Sequence, residues 1–488
     1  MEKSELKPAG VFHFFNEICQ VPRPSKKEEK MIAYLKAFGE KHNLETKVDE
    51  AGNVLIKKPA TPGKENLKTV ILQSHVDMVC EKNNDTDHDF LTDPIETEID
   101  GEWMKAKGTT LGADNGIGVA TELAILADDS IEHGPIECLF TVDEETGLTG
   151  AFALKEGFMS GEILLNLDSE DEGELYIGCA GGIDTVAEFQ YENEMTPISH
   201  LCFRITVKGL KGGHSGGDIH LGRGNANKIL NRFLYQMMTT YQEDFHLYEF
   251  NGGNLRNAIP REAYAICAVP EDAKHDVRTE LNIFTSEMED ELSVVEPDLK
   301  LVLESEAPRK IAIDQDTTTR LLKALYAAPH GVYAMSQDIP GLVETSTNLA
   351  SVKMKPNHII RIETSQRSSI LSARNDMANT VRAVFQLAGA NVTFGEGYPG
   401  WKPNPHSAIL EVAVESYKRL FGVDAKVKAI HAGLECGLFL DKYPTLDMIS
   451  FGPTLTGVHS PDERMLIPTV EKFWKHLLDI LAHVPAKK

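Results

Sequence analysis

Two rhythms of apolar residues alternate along the first part of the chain. The runs NVLIKK, TVILQS, IECLFTVD and EILLNLD have the length of single strands and too few polar interruptions for half-exposed ones. Between the second and third lies GVATELAILADD, whose apolar positions recur at helical spacing. Ahead of them, Val11 to about His42 is helical in pattern but broken at PRPS, where Pro22 and Pro24 force a turn before a second helix through MIAYLKAFGEKH. Strands alternating with helices predict an α/β sheet, whose functional residues gather just beyond strand ends. His75, Glu144 and Asp168 each closely follow such a run.

After about residue 185 the pattern changes. HLCFRITVKGLKGGHSGGD followed by NANKILNRFLYQMM reads as strand, glycine loop and helix, and HIIRIETSQRSSI followed by DMANTVRAVFQLAGA reads as strand, loop and helix again. Two such units predict an inserted α+β domain with similar halves, although no exact repeat underlies them. The Gly- and Pro-rich TFGEGYPGWKPNP reads as a linker, after which SAILEVAVESYKRLFG resumes a helical pattern. TLDMISFGPTLTGVHSPDERM is then strand to loop, and VEKFWKHLLDILAHV a closing helix. The expected organisation is a first domain over residues 1–185, completed by 395–488 and interrupted by an insert over 186–394.

Composition narrows the partners. With 49 Lys+Arg against 74 Asp+Glu the net charge is −25, and no basic stripe stands out, which argues against nucleic acid or an anionic membrane. A length of 488 residues, 42% of them hydrophobic, suits two or three domains at ~150 residues each. The seven cysteines are odd in number, scattered and without a CxxC pair, as expected of a reduced, cytoplasmic chain. The start, MEKSELKPAGVFHFFNEICQ, lacks the apolar core of a signal peptide, and nowhere do about 18 apolar residues run together.

Five short stretches carry the chemistry. TVILQSHVDMV sets His75 and Asp77 after an apolar run, TTLGADNGIGVA puts Asp114 in a glycine-flanked loop before a helix, and TVDEETGLTGA has consecutive acids, Glu144 and Glu145. LLNLDSEDEGELYIG offers Asp168, and FGPTLTGVHSPDE offers His459. Taken singly each has an ordinary explanation: a surface loop, a helix cap, an acidic turn. Together they predict one cluster at the strand ends of a single sheet. A pair of divalent ions about 3.5–4 Å apart needs a few nitrogen and carboxylate ligands and one carboxylate to bridge them. Two histidines with acids and no cysteine suit zinc or a similar ion. Asp77 is then expected to hold the other ring nitrogen of His75 and fix its tautomer. Of Glu144 and Glu145, one can bind metal while the other acts as a base on an attacking water, so the site reads as hydrolytic.

These motifs, with KGGHSGGDIHLGRGNANK, NLDSEDEGELYIGCAGG, NLRNAIPREA and VPRPSKKEEKM, resemble the co-catalytic zinc dipeptidases of the M20 metallopeptidase family, and within it the aminoacyl-histidine dipeptidase branch, nearly from end to end. The resemblance implies a zinc-peptidase-like α/β catalytic domain with an inserted α+β lid domain. It implies two metal ions, zinc first with cobalt or manganese as alternatives: His75 and Asp168 on one, Glu145 and His459 on the other, Asp114 bridging. It also implies Glu144 as general base, Asp77 orienting His75, a cis peptide at Asp114–Asn115, and His214 in GGHSGG steadying the oxyanion of the tetrahedral intermediate. Asn257 in LRNAIP and Arg367 in SQRSS resemble lid residues that hold substrate, the guanidinium gripping a free carboxylate. In HAGLECG, His431 and Glu435 are spaced to share a helix face and are expected to line the site rather than hold a third metal.

The implied activity is hydrolysis of dipeptides with free termini, Xaa-His among them. An N-acyl amino acid deacylase on the same fold is the nearest rival, and a relative that binds peptides without cleaving them is the rival from another class. Neither GADNGIG nor KGLKGGHSGG has a nucleotide-binding glycine pattern in register. The insert is expected either to complete the site within one chain or to support a homodimer through an exposed strand.

Overall fold

The apolar runs form the buried middle of an eight-stranded sheet in the computed structural model, which describes residues 5–197 and 199–487. Val70–His75 lies between Ile136–Thr141 and Ile163–Asn166, parallel to both, and Asp447–Ser450 runs parallel beside Ile163–Asn166. Every residue of the first three strands is buried, which is why their sequences show no polar alternation. Val54–Lys58 and then Glu45–Val48 extend one side antiparallel, while Glu174–Cys179 and Lys426–Ile430 complete the other. The helix Ala113–Ala127 packs on Val70–His75 and receives Ala9–Ile18 on its other flank. In register, His75 pairs with Thr141 and Gln73 with Asn166, so the chain leaves all three central strands at one end of the sheet. The segments that follow, 75–77, 143–145 and 168, are neighbours for that reason.

Four short strands outside the expected set make a second, smaller sheet. Thr97–Asp100 pairs with Trp103–Ala106, which pairs with Arg464–Leu466 and through it with Leu455–Thr456. This sheet fixes the loop that carries His459.

By the density of internal contacts the chain forms two units. One is Met1–Cys179 with Trp401–Ala429 and Leu434–Lys488, and the other is Ala180–Gly400 with Ile430–Gly433. The second unit begins and ends a few residues outside the expected 186–394, and it takes in 430–433, which no change in composition marks. Its nine-stranded sheet is antiparallel throughout the pairings of His200–Lys208, Ala263–Pro270, His246–Gly252, Val343–Lys355, Ile359–Ser368 and Gly181–Gln190. Both strand, loop and helix segments lie on this one sheet. Phe233, Phe284, Leu322 and Phe385 from its helices pack with Phe203 and Phe250 from its strands in a single core.

Candidate active site

The site starts where Val70–His75 runs out. Val76 donates its amide to Thr141 at 2.8 Å, carrying the ladder one residue beyond the strand and turning Asp77 inward, where it is fully buried. Asp77 Oδ1 faces His75 Nδ1 at 3.3 Å and accepts the Glu144 amide at 3.0 Å. Its Oδ2 accepts the Glu145 amide at 3.2 Å and the Ser25 hydroxyl at 2.8 Å. Despite burial, the bond to His75 and these donors hold its pKa down to about 2. One carboxylate therefore sits against an imidazole and also accepts the amides of the turn that presents two glutamates.

Asp114 stands before the helical part of Ala113–Ala127, at φ −81° and ψ 112°, and its peptide bond to Asn115 is cis. Its side chain serves as no cap. Oδ1 lies 3.1 Å from His75 Nε2 and Oδ2 lies 3.1 Å from His459 Nε2. Asp168 Oδ1 is 3.4 Å from the same nitrogen of His75, and Glu145 Oε2 is 3.0 Å from that of His459. Asn115 donates to both Asp168 Oδ1 and Leu167 O, tying the two acids' backbones together. Asp114 and His459 thus come from loops, as their own stretches suggested, and not from strand ends, where the five together were expected; His459 sits at φ +61° between two strands of the smaller sheet.

Charge in this cluster is unbalanced. Burial works against a proton on His75, yet Asp168, Asp114 and Asp77 outweigh it and raise its pKa well above the usual range. Asp114 and Glu145 raise that of His459 to about 11. Burial, with neighbouring acids, lifts Asp168 to about 6, Glu170 to about 8 and Glu435 to about 8. Burial lifts Glu144 well above the ordinary carboxylate range, and Asp168, Glu435 and Glu145 add to the rise. Acids outnumber the two imidazoles, and Glu145 Oε1 is buried with no hydrogen-bond partner. Such a donor set fits cations. One group of atoms is His75 Nε2, Asp168 Oδ1 and Asp114 Oδ1; the other is His459 Nε2, Glu145 Oε2 and Asp114 Oδ2. Both are nitrogen and oxygen sets of the kind zinc, cobalt or manganese accept.

The remaining expected residues lie in the second unit, apart from Glu435. His214 Nδ1 accepts the Gly217 amide at 3.0 Å, which leaves the ring proton on Nε2, and burial followed by the Arg367 charge lowers its pKa, keeping the ring neutral. Asn257 is exposed and gives its backbone oxygen to the Ser215 amide at 2.8 Å. Arg367 is not on a solvated loop: it ends the strand Ile359–Ser368, is 7% exposed, and donates to the Tyr398 hydroxyl at 2.9 Å while its Nε has no partner. His431 Nε2 is 2.7 Å from Ser346 Oγ, and burial with the Arg367 charge pulls its pKa down to about 3. His431 and Glu435 do not share a helix face. Leu434 is extended at φ −137° and ψ 153°, and the helix Glu435–Lys442 begins only after it. Glu435, in the first unit, is buried and accepts from Gln73 at 2.7 Å and Thr141 at 2.9 Å.

Sequence reasoning named Asn115 only for its cis peptide bond, and missed Ser25 and Arg23, whose guanidinium donates to the backbone oxygens of Val76 at 3.0 Å and Asp77 at 2.9 Å. It also missed Gln73. A polar residue directly after the apolar Val70–Leu72 and two positions before His75 was a readable signal for Gln73; nothing local marked the others.

Residues 71–483 match peptidase family M20/M25/M40. The cytosol non-specific dipeptidase of Escherichia coli (strain K12) is 46% identical over 486 residues, covering 100% of both chains. Among solved structures, the aminoacylhistidine dipeptidase of Vibrio alginolyticus superposes with a TM-score of 0.93 at 46% identity, covering 100% of this chain and 99% of that one. Aminopeptidase PepT of Bacillus cereus shares the fold, with a TM-score of 0.61 at 17% identity over 98% of this chain and 99% of its own. Among the described residues no helix is long and apolar enough to cross a membrane.

Proposed function

Because this chain belongs to peptidase family M20/M25/M40, we propose that it hydrolyses dipeptides with free termini, Xaa-His included, at the cluster of His75, Asp114, Glu145, Asp168 and His459. One observation carries the reading: the two oxygens of Asp114 are divided between two imidazoles, each with a further carboxylate beside it. His75 and Asp168 would hold one divalent ion, His459 and Glu145 a second, and Asp114 both, with zinc the first choice. A bound pair of such ions supplies Lewis acidity, polarising the scissile carbonyl and making water a better nucleophile at neutral pH.

The chain's own residues do the rest. Glu144 is the general base: its backbone is pinned by Asp77, and burial among other acids gives its carboxylate a strong affinity for a proton. It takes that proton from the attacking water and returns it to the leaving amine. The amide breaks, one amino acid gaining a carboxylate and the other a free amine. His214, neutral and protonated on Nε2, is the donor for the carbonyl oxygen as charge develops there. Arg367 grips the free C-terminal carboxylate, with its side chain steadied by Tyr398. Seven cysteines with no disulfide among them suit a reducing compartment, the cytoplasm.

The test is a panel of dipeptides, several ending in His, with a tripeptide and N-acetyl amino acids, assayed before and after chelation and again on return of zinc. Dipeptide cleavage that chelation abolishes and zinc restores, with acetylated compounds ignored, supports the reading. Preference for acetyl amino acids would move the substrate class to the deacylases, and metal-loaded protein that cleaves nothing would leave peptide binding alone.

A further inference from the structure

Glu463 stands four residues after His459 and is 2% exposed. Its carboxylate is filled by one stretch of backbone: Oε2 accepts the amides of Leu111 at 2.7 Å and Gly112 at 2.9 Å, and Oε1 those of Ala113 at 2.8 Å and Asp114 at 3.3 Å. These are four consecutive N–H groups, the last belonging to Asp114 itself. The residues after Glu463 are fixed as well, since Arg464–Leu466 pairs with the strand Trp103–Ala106. Those before it form a tight turn, in which Glu463 donates its amide to Ser460 O at 3.0 Å and the Ser460 hydroxyl donates to Gly457 O at 2.7 Å.

The opposite side of the Leu111–Asp114 stretch is held too. Arg23 donates to Gly112 O at 2.5 Å. Gly112 has φ +67°, and a Cβ there would meet Arg23 Nη2 at 2.6 Å and Met78 Sδ at 2.8 Å, so only glycine lets the loop pass so close. Asp114 must reach two imidazoles on separate segments, and His459 lies within 3.1 Å of it although 345 residues away in sequence. Something has to set that distance, and the carboxylate that accepts the Asp114 backbone amide comes from the loop of His459.

We propose that Glu463 is a positioning residue for the hydrolysis, its buried carboxylate fastening the backbone ahead of Asp114 to the loop that carries His459. The inference rests on the metal-ligand reading of Asp114 and His459. A glutamine at 463 keeps the shape but turns an NH2 group toward N–H donors, so at least part of the clasp opens. An aspartate keeps the acceptors on a shorter arm.

The experiment is a titration of the chelator-stripped full chain with cobalt(II), followed by visible absorption, for wild type, E463Q and E463D, beside kcat and KM on a dipeptide. Far-UV circular dichroism of the stripped proteins reports folding. Wild type is expected to take two equivalents. E463Q should bind at least one of them ~10–100-fold more weakly with an altered spectrum, losing kcat with KM unchanged and regaining activity at saturating metal, and E463D should recover part of the affinity. Fewer than two equivalents in wild type overturns the ligand reading and this inference with it. Two in wild type, with E463Q folded and matching it in affinity and spectrum, overturns this inference alone. A lowered unfolding temperature without change in the cobalt spectrum does the same, because it makes the clasp structural only. If E463Q does not fold, wild-type cobalt affinity in E463D decides against the proposal and weakened affinity decides for it.

Discussion

Nδ1 of His75 and Oδ1 of Asp77 face each other at 3.3 Å, with side chains 1% and 0% exposed. His75 ends its strand and Asp77 stands two positions further on, and the same carboxylate takes the amides of Glu144 and Glu145. Asp77→Asn presents an NH2 group to donors that need acceptors, and frees the imidazole to choose its tautomer. Metal affinity is expected to fall ~10–100-fold. Retention of zinc against a graded chelator measures it, and wild-type retention in the variant would remove Asp77 from this role.

Glu144 tests the chemistry apart from the metals. Glu144→Gln keeps the backbone bond to Asp77 but has no site for the proton of the attacking water. Turnover of a dipeptide should drop ~10²–10⁴-fold, with the metal complement and KM unchanged. The assay pairs initial rates with elemental analysis of the same sample. Undiminished turnover would take the base role away from Glu144.

What could be read along the chain was local. The apolar run Val70–Leu72 shortly before His75, and another shortly before Asp168, announce strands buried on both faces, although each strand closes on buried polar residues, Gln73 to His75 in one and Asn166 in the other. Asp114, Glu144 and Glu145 were legible as acids in turns. Arg23 was not, since its partners, Val76 and Asp77, lie more than fifty residues on and are backbone atoms that any sequence would supply. Arg367 looked like a loop residue because serines surround it, although the strand Ile359–Ser368 continues through them, paired on both sides. His431 and Glu435 misled by their helical spacing. The extended Leu434 parts them, a backbone choice that Leu itself does not announce.

Among groups that are not proposed metal ligands, Glu122 provides a pH test. It is fully buried in the helix Ala113–Ala127 and accepts the Ser74 hydroxyl at 2.6 Å, while Oε2 has no partner. Burial raises its pKa well above 4.5, so the folded chain keeps it protonated where the unfolded chain ionises it. For a group whose folded pKa is raised, the stability present below the ordinary pKa is lost as pH climbs toward the folded value, at about 1.4 kcal/mol per pH unit. Glu122→Gln removes that loss. Comparing unfolding midpoints of metal-free wild type and variant from pH 5 to pH 8, the difference should move steadily in favour of glutamine. A difference that stays flat with pH would show that Glu122 does not titrate in this way.

Arg367 separates recognition from catalysis. Its guanidinium is nearly buried, one nitrogen engaged by Tyr398 and Nε without a partner, an arrangement that leaves donors for an incoming carboxylate. Arg367→Lys keeps the charge but loses the planar fork that pairs with two carboxylate oxygens at once. A hydrogen bond to a charged group is worth about 1.5–3 kcal/mol, so KM for a free dipeptide should rise roughly 10–100-fold. The matching dipeptide amide offers no carboxylate, and its kcat/KM should be nearly the same in both proteins. The measurement is the ratio of kcat/KM for acid over amide: it should collapse in the lysine variant. Equal losses on both substrates would mean that Arg367 supports the fold of its strand end instead of reading the substrate's C-terminus.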